Sequence, residues 1–101
     1  MSAGFVLLVE VRLRVDDSDS LKGKRKVVRS IKDAVRDRLG AAVAEIEGHD
    51  SRQDSTLLCS LVGRDEGELA SRADRLQGIV VARAGDAASF ERTLRSLDDL
   101  R

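Results

Sequence analysis

Apolar residues occupy every odd position in one segment near the N-terminus, a pattern typical of a β-strand. They are Phe5, Leu7, Val9, Val11, Leu13 and Val15. Since successive side chains of a strand point to opposite faces of a sheet, this alternation predicts a strand over residues 5–15 whose odd positions face the core. The even positions change from apolar to charged along the strand, so the second face is apolar at one end only.

The next segment has the periodicity of an amphipathic helix. Its apolar residues recur at spacings of seven, three, four and four, and they are Leu21, Val28, Ile31, Val35 and Leu39. We predict a helix with these residues in the core, with Ser20 as its N-cap and Gly40 as a left-handed C-cap.

A hairpin and a second helix are predicted next. Strands over residues 42–47 and 56–62 flank a polar loop of about six to eight residues. Residues 65–83 have the pattern of a helix, and its predicted buried stripe is Leu69, Ala73, Leu76, Val80 and Val81.

The tail determines how the pattern closes. We assign residues 89–94 to a last strand, although the spacing of Phe90, Leu94 and Leu97 also fits a helix. With that strand the order is βαββαβ, which predicts an α+β, ferredoxin-like plait: an antiparallel four-stranded sheet with two helices on one face. A chain of 101 residues without a linker predicts a single domain over residues 1–101.

The first helix is strongly basic in a chain with no net charge. Between Lys22 and Arg38 the sequence has eight basic and two acidic residues, a net charge of +6, so the rest of the chain carries −6. Because polyanion binding depends on local charge, we predict a phosphate-binding surface at the helix start, formed by Lys22, Lys24, Arg25, Lys26 and Arg29. The alternative is that these cations only keep an exposed helix face in solution.

Few residues suggest catalysis or metal binding. The only histidine, His49, lies in the polar loop with Asp50 and Gln53, and Glu45 precedes them. These four are candidate functional residues, but no clear nucleophile accompanies them. Cys59 lies in an apolar strand, where we expect a buried thiol. No glycine-rich phosphate motif occurs, so we predict a protein that is not an enzyme and binds neither metal nor cofactor.

The N-terminus and the cysteine count indicate the cytoplasm. The first residues have no basic segment and their apolar run is broken at Glu10, so neither a signal peptide nor a membrane span is predicted. A lone cysteine forms no internal disulfide, which fits a reducing compartment.

A ferredoxin-like sheet leaves one face without helices. We predict Val6, Leu8, Val43 and Leu58 on that face, where a contiguous apolar patch is typical of an interface. We therefore expect a homodimer through this face. The alternative is that the chain after Phe90 forms a helix that covers it.

The segment SLKGKRKVVRSIKDAVRDRLGAAVAEIEGHDSRQDSTL resembles the YlxP-like family of small bacterial proteins. The resemblance is carried by Ser20, Leu21, Lys22, Lys24, Arg25, Val28, Ile31, Val43, Ala44, Glu45, Asp50, Gln53, Thr56 and Leu57. Ala42 stands where serine is usual, and Ser51 and Arg52 replace a pair that is commonly apolar and aromatic. The resemblance implies a ferredoxin-like fold in a bacterial cytosolic protein, but no catalytic or binding residues. Family genes often lie beside those for a translation initiation factor and ribosome-binding factor A, which implies ribosomal RNA or ribosome assembly components as partners.

Three functional hypotheses follow, in order. The first is a non-enzymatic RNA- or ribosome-associated module that contacts phosphates through the start of the basic helix. The second is a homodimeric protein-interaction or regulatory module that uses the open sheet face. The third and weakest is an enzyme that uses His49, Asp50 and Glu45.

Overall fold

A computed structural model describes residues 3–15 and 21–101 as one sheet covered on one side by two helices. In chain order the elements are β1 (Phe5–Arg14), α1 (Leu21–Leu39), β2 (Ala42–Glu47), β3 (Asp54–Gly63), α2 (Glu66–Ala84) and β4 (Ala88–Ser96). Short 3₁₀ turns at Gly85–Ala87 and Asp98–Leu100 precede and follow β4. Neither helix is both long and apolar enough to cross a membrane, within the part of the chain described.

The sheet has the strand order β2-β3-β1-β4 with every neighbouring pair antiparallel. This order and the two crossover helices make a ferredoxin-like fold, which confirms the predicted fold class. β1 lies between β3 and β4, with Val9 opposite Cys59 on one side and Arg92 on the other. The longest alternating segment of the sequence therefore forms one of the two inner strands.

The core lies between the sheet and the helices, as the alternation of β1 predicts. Leu7, Val9, Val11 and Leu13 are buried there against α1 and α2, while Phe5 is only half-buried at the edge of the cluster. Burying a side chain of this size contributes about 1.5–3 kcal/mol, so this face of β1 is a large part of the driving force for folding.

The two helices begin and end close to the predicted residues. Gly40 has φ +63° and its N–H donates to the Arg36 carbonyl (3.0 Å), as a left-handed C-cap should. The predicted N-cap Ser20 lies outside the described residues, and Leu21 is half-buried rather than core. In α2 the stripe is buried except at Val81, which is 49% exposed. That prediction was wrong because Val81 follows buried Val80 directly and so faces about 100° away around the helix.

The tail and β2 give one confirmation and one correction. Residues 89–94 form a strand, within the longer β4. Val43 was placed on the open face, but it is buried in the core and pairs with Cys59 on the helix side of the sheet. The next pair, Ala44 with Leu58, therefore lies on the open side. A one-residue difference in parity moves every side chain of a strand to the other face, so Glu45 also points toward the helices.

Candidate nucleic-acid interface

Lys24, predicted as a surface cation, is completely buried (0% exposed). Its Nζ donates to the Gly48 carbonyl oxygen at 2.5 Å and to that of Asp54 at 3.2 Å, and it lies 3.5 Å from the oxygen of His49. Because an ammonium has three donors and all are directed at carbonyls within the protein, none is left for a phosphate. The prediction that Lys24 contacts phosphates is therefore wrong.

The turn between β2 and β3 is shaped to receive this ammonium. Gly48 has φ +80°, and a Cβ added there would collide with the Asp54 backbone. Ser51 closes the other side of the turn: its Oγ accepts from the N–H groups of Gln53 (3.2 Å) and Asp54 (2.9 Å), and its own N–H donates to the Gly48 carbonyl (3.0 Å). Carbonyl oxygens are thereby turned inward, toward the start of α1.

Glu45 completes the buried part of this arrangement. Its carboxylate accepts from Ser55 Oγ (2.5 Å) and His49 Nδ1 (3.1 Å) and lies 3.8 Å from Lys24 Nζ, and its side chain is 14% exposed. Burial favours the neutral acid, but the hydrogen bonds from Ser55 and His49 and the nearby charges of Lys24 and His49 outweigh it and lower the pKa of Glu45. Glu45 is therefore ionised at neutral pH and can only accept hydrogen bonds.

His49 connects this buried cluster to the surface. Its ring is 66% exposed, with Nδ1 on Glu45 and Nε2 at 3.3 Å from Nη2 of Arg25. The same Nη2 lies 3.4 Å from the His49 carbonyl oxygen. Arg25 is thus held against the turn by an exposed contact, whereas its neighbour Lys24 is held by a buried one.

The other predicted cations of α1 remain on the surface. Lys22, Arg25, Lys26 and Arg29 are exposed. Among the described residues, no carboxylate forms an ion pair with Lys22, Lys26 or Arg29. Cations without a partner in their own protein are available to an external anion.

A groove between α1 and the β2–β3 turn extends this charged surface. It has a volume of about 360 Å³ and is lined by Arg25, Val28, Arg29, Lys32, Asp33, Arg36, Glu45 and His49. Arg36 also donates to the Val43 carbonyl (3.2 Å), which fixes its position beside β2. Four cations spaced by three or four residues therefore share one side of α1.

The four candidate residues of the β2–β3 region do not form one site. The structure brings Glu45 and His49 together, while Asp50 is exposed on the turn. Gln53 instead accepts from Nη2 of Arg14 (3.0 Å), whose Nη1 donates to Asp54 (2.9 Å), and so belongs to the β1 side of the turn.

Side chains suited to metal binding or nucleophilic chemistry are sparse around this surface. The described residues contain no cluster of three or more His, Cys, Asp and Glu side chains that could hold a metal ion. Cys59 is fully buried, as predicted, and burial raises the pKa of its thiol to about 11. The thiol therefore stays protonated at neutral pH and is a poor nucleophile.

The open face of the sheet is apolar at one end. Val6, Leu8 and Leu58 are half-buried there, and Val62, which pairs with Val6, is 70% exposed. These residues lie together around the start of β1, where the even positions are apolar. Three of the four predicted dimer-face residues thus lie on this face, and Val43 does not.

Sequence comparison identifies a family. The model of the family described as "Protein of unknown function (DUF503)" matches residues 6–94, which include every described residue of the Lys24 cluster and of the groove. The chain belongs to the DUF503 family. No curated protein matches the sequence.

Solved structures agree with this DUF503 chain in fold alone. The de novo designed protein Foldit4 is 11% identical, with a TM-score of 0.58, and the match covers 92% of this chain and 97% of the design. SnoaB, a cofactor-independent oxygenase from Streptomyces nogalater, is 13% identical in a mutant form, with a TM-score of 0.54 and 91% of each chain covered. At such identities a shared fold says nothing about shared chemistry.

Sequence reasoning missed the burial of Lys24 and the contribution of Lys32 and Arg36, although both left a signal. The gap of seven between Leu21 and Val28 skips one helical turn, and position 24 falls on that turn. Lys24 is therefore part of the buried stripe by its spacing. Likewise, Arg25, Arg29, Lys32 and Arg36 recur at the helical spacings of four, three and four.

Proposed function

We propose that this protein is a non-enzymatic RNA-binding module that contacts phosphates through the outer side of α1. The residues involved are Lys22, Arg25, Lys26 and Arg29 at the helix start, with Lys32 and Arg36 further along the groove. The observation that carries the proposal is a row of exposed cations that lack described carboxylate partners, in a chain with no net charge.

The fold supports a backbone-directed mode of binding. Unpaired bases are usually held by stacking on aromatic side chains, and the only two aromatics, Phe5 and Phe90, pack against the core instead. Contacts to phosphates position an RNA without reading its sequence. We therefore expect binding that depends strongly on salt and little on sequence.

Within DUF503 we assign the chain to the YlxP-like proteins, on the SLKGKR segment before and at the start of α1. That assignment favours the cytosol of a bacterium as the setting and ribosomal RNA or ribosome assembly components as the partners. In this assignment Lys24 of the segment has a structural role, and Lys22 and Arg25 have the binding role.

The test is a salt titration of RNA binding by fluorescence anisotropy. The variant Lys26→Gln/Arg29→Gln removes two outer cations of α1, and the control Arg64→Gln/Arg75→Gln removes two exposed cations elsewhere, so both change net charge equally. We expect the slope of log K against log salt to fall by about 0.7 for each lost contact, about 1.4 for the first pair, and to stay unchanged for the control. Equal slopes and affinities in the two double variants would refute the proposal.

A second candidate function, homodimerisation through the open face, is favoured by the exposure of Val62 beside Val6 and Leu8. The charges around this patch suit a second copy. Arg95 and Glu91 lie on the same face at either side of Thr93, which pairs with Leu8. A two-fold axis that crosses the strands at Leu8 would bring Arg95 of one copy over Glu91 of the other.

Light scattering tests this candidate. We expect Leu8→Glu to convert a dimer to a monomer, because it places a charge in the centre of the apolar patch. The control Ala70→Glu puts the same charge on the exposed side of α2 and should leave the mass unchanged. A wild-type monomer at high protein concentration would rule the dimer out.

A further inference from the structure

The hydrogen bonds around His49 determine where its proton lies. Glu45 is ionised and can only accept, so Nδ1 of His49 carries a hydrogen and donates across the 3.1 Å contact. A guanidinium can only donate, so Nε2 of a neutral His49 accepts from Arg25 across 3.3 Å. Both ring nitrogens are satisfied while the ring is neutral.

Protonation of His49 breaks one of these contacts. With a hydrogen on Nε2, the ring and the Arg25 guanidinium become two donors directed at each other, and both are cationic. Neither can satisfy the other, but a single anionic oxygen placed between them can accept from both. The point between them opens on the groove that Arg29, Lys32 and Arg36 also line.

We propose that this point is a phosphate site that protonation of His49 completes, so that RNA binding takes up a proton. The proposal rests on the proposed function, and it names the position and the regulation of one phosphate contact. A phosphodiester oxygen accepts from Nε2–H of His49 and from Nη2 of Arg25, in place of their mutual contact. Glu45 is a positioning residue, because it holds the ring by Nδ1 and turns Nε2 toward the groove.

The surrounding charges decide how strongly the proton and the phosphate are coupled. The carboxylate of Glu45 from β2 favours the charged ring, whereas Lys24 and Arg25 from α1 oppose it. Asp50 adjoins His49 in the turn, and the Asp54 carboxylate of β3 is engaged by Arg14. On the groove side, Arg29, Lys32 and Arg36 outnumber Asp33, so the empty groove disfavours a further positive charge. A bound phosphate reverses this balance and makes the protonated ring favourable.

The experiment measures RNA affinity against pH at constant ionic strength. The probe is an RNA oligonucleotide of about 12 nucleotides with hydroxyl groups at both ends, because terminal phosphomonoesters titrate near pH 6 and internal diesters do not. For the wild type we expect affinity to rise about three- to tenfold between about pH 8 and pH 6, the range in which histidine changes charge. Calorimetry in buffers of different ionisation heat should show net proton uptake on binding.

His49→Gln keeps a side-chain amide on the exposed turn and removes the titrating ring. Since His49 is the only histidine, we expect this variant to bind RNA with no rise in affinity and no proton uptake over that range. Arg25→Gln, also at an exposed position, should reduce the proton uptake as well. The same pH slope in His49→Gln and wild type would overturn the inference and leave the proposed function standing. An absence of salt-dependent RNA binding at every pH would overturn both.

Discussion

The inner and outer sides of the first turns of α1 carry the same kind of residue with opposite roles. On the inner side, Lys24 is fully buried and its ammonium joins the helix to three carbonyls of the β2–β3 turn. On the outer side, Arg25 and Lys26 are exposed, and Lys26 has no described carboxylate partner. Adjacent cations in one helix thus separate into a structural and a binding set, and the helical spacing decides which is which.

The largest expected effect comes from breaking the inner side. Lys24→Met keeps a long apolar stem but leaves the carbonyls of Gly48 and Asp54 and the carboxylate of Glu45 without their cation. We expect a loss of about 3 kcal/mol in the free energy of unfolding, because breaking a buried charged network by removing one partner costs that much. Urea denaturation monitored by circular dichroism measures it.

Lys26→Met is the matched control for the outer side. An exposed cation without a partner contributes little to stability, so its loss should change the free energy of unfolding by no more than about 0.5 kcal/mol. Equal losses in the two variants would mean that Lys24 is no more structural than its neighbour and would end the comparison.

The next effect concerns the turn that receives Lys24. Gly48 and Gly40 both have positive φ, of +80° and +63°, so alanine is strained at either. At Gly48 the new Cβ would also collide with the Asp54 backbone, whereas at Gly40 it would meet nothing within 4 Å. We therefore expect Gly48→Ala to lower the free energy of unfolding by about 2 kcal/mol more than Gly40→Ala, because backbone cannot move aside as a side chain can.

Thermal denaturation of the two glycine variants gives this difference directly. Because the backbone strain is similar in both, the difference isolates the close approach of Gly48 to Asp54. If the two variants melted together, the turn would not be packed as tightly around the Lys24 ammonium as its geometry indicates.

Much of this architecture could be predicted from local pattern, because long elements repeat their signal. The eleven-residue alternation identified β1, and the stripe of α1 gave its end at Leu39. β2 is different: it has six residues, and Ala42, Val43 and Ala44 make both of its faces weakly apolar. Nothing in so short a pattern specifies parity, and the wrong parity misplaced Val43 and Glu45 together.

The candidate site was harder to predict because its contacts are distant in sequence. Lys24 finds its partners 24 to 30 residues further along, at Gly48 and Asp54. A lysine in a basic segment is usually exposed, and only the positions of Gly48 and Asp54 in the fold make its burial favourable. The surface cations could be predicted from charge alone, since exposure needs no partner.

The smallest expected effect sharpens the boundary between the two sides, at Glu45. Its pKa is lowered in the folded protein, so its stabilising effect is complete above the ordinary value of 4.5 and is lost as pH falls through the lower, folded-state value. We expect Glu45→Gln to reduce the free energy of unfolding by about 1 kcal/mol near neutral pH and by progressively less below about pH 4. Making both measurements in a His49→Gln background removes the histidine charge and leaves Ser55 and Lys24 as the partners of Glu45. A difference between the two proteins that stayed constant down to about pH 2 would show that the Glu45 carboxylate has no such stabilising interaction in the folded state.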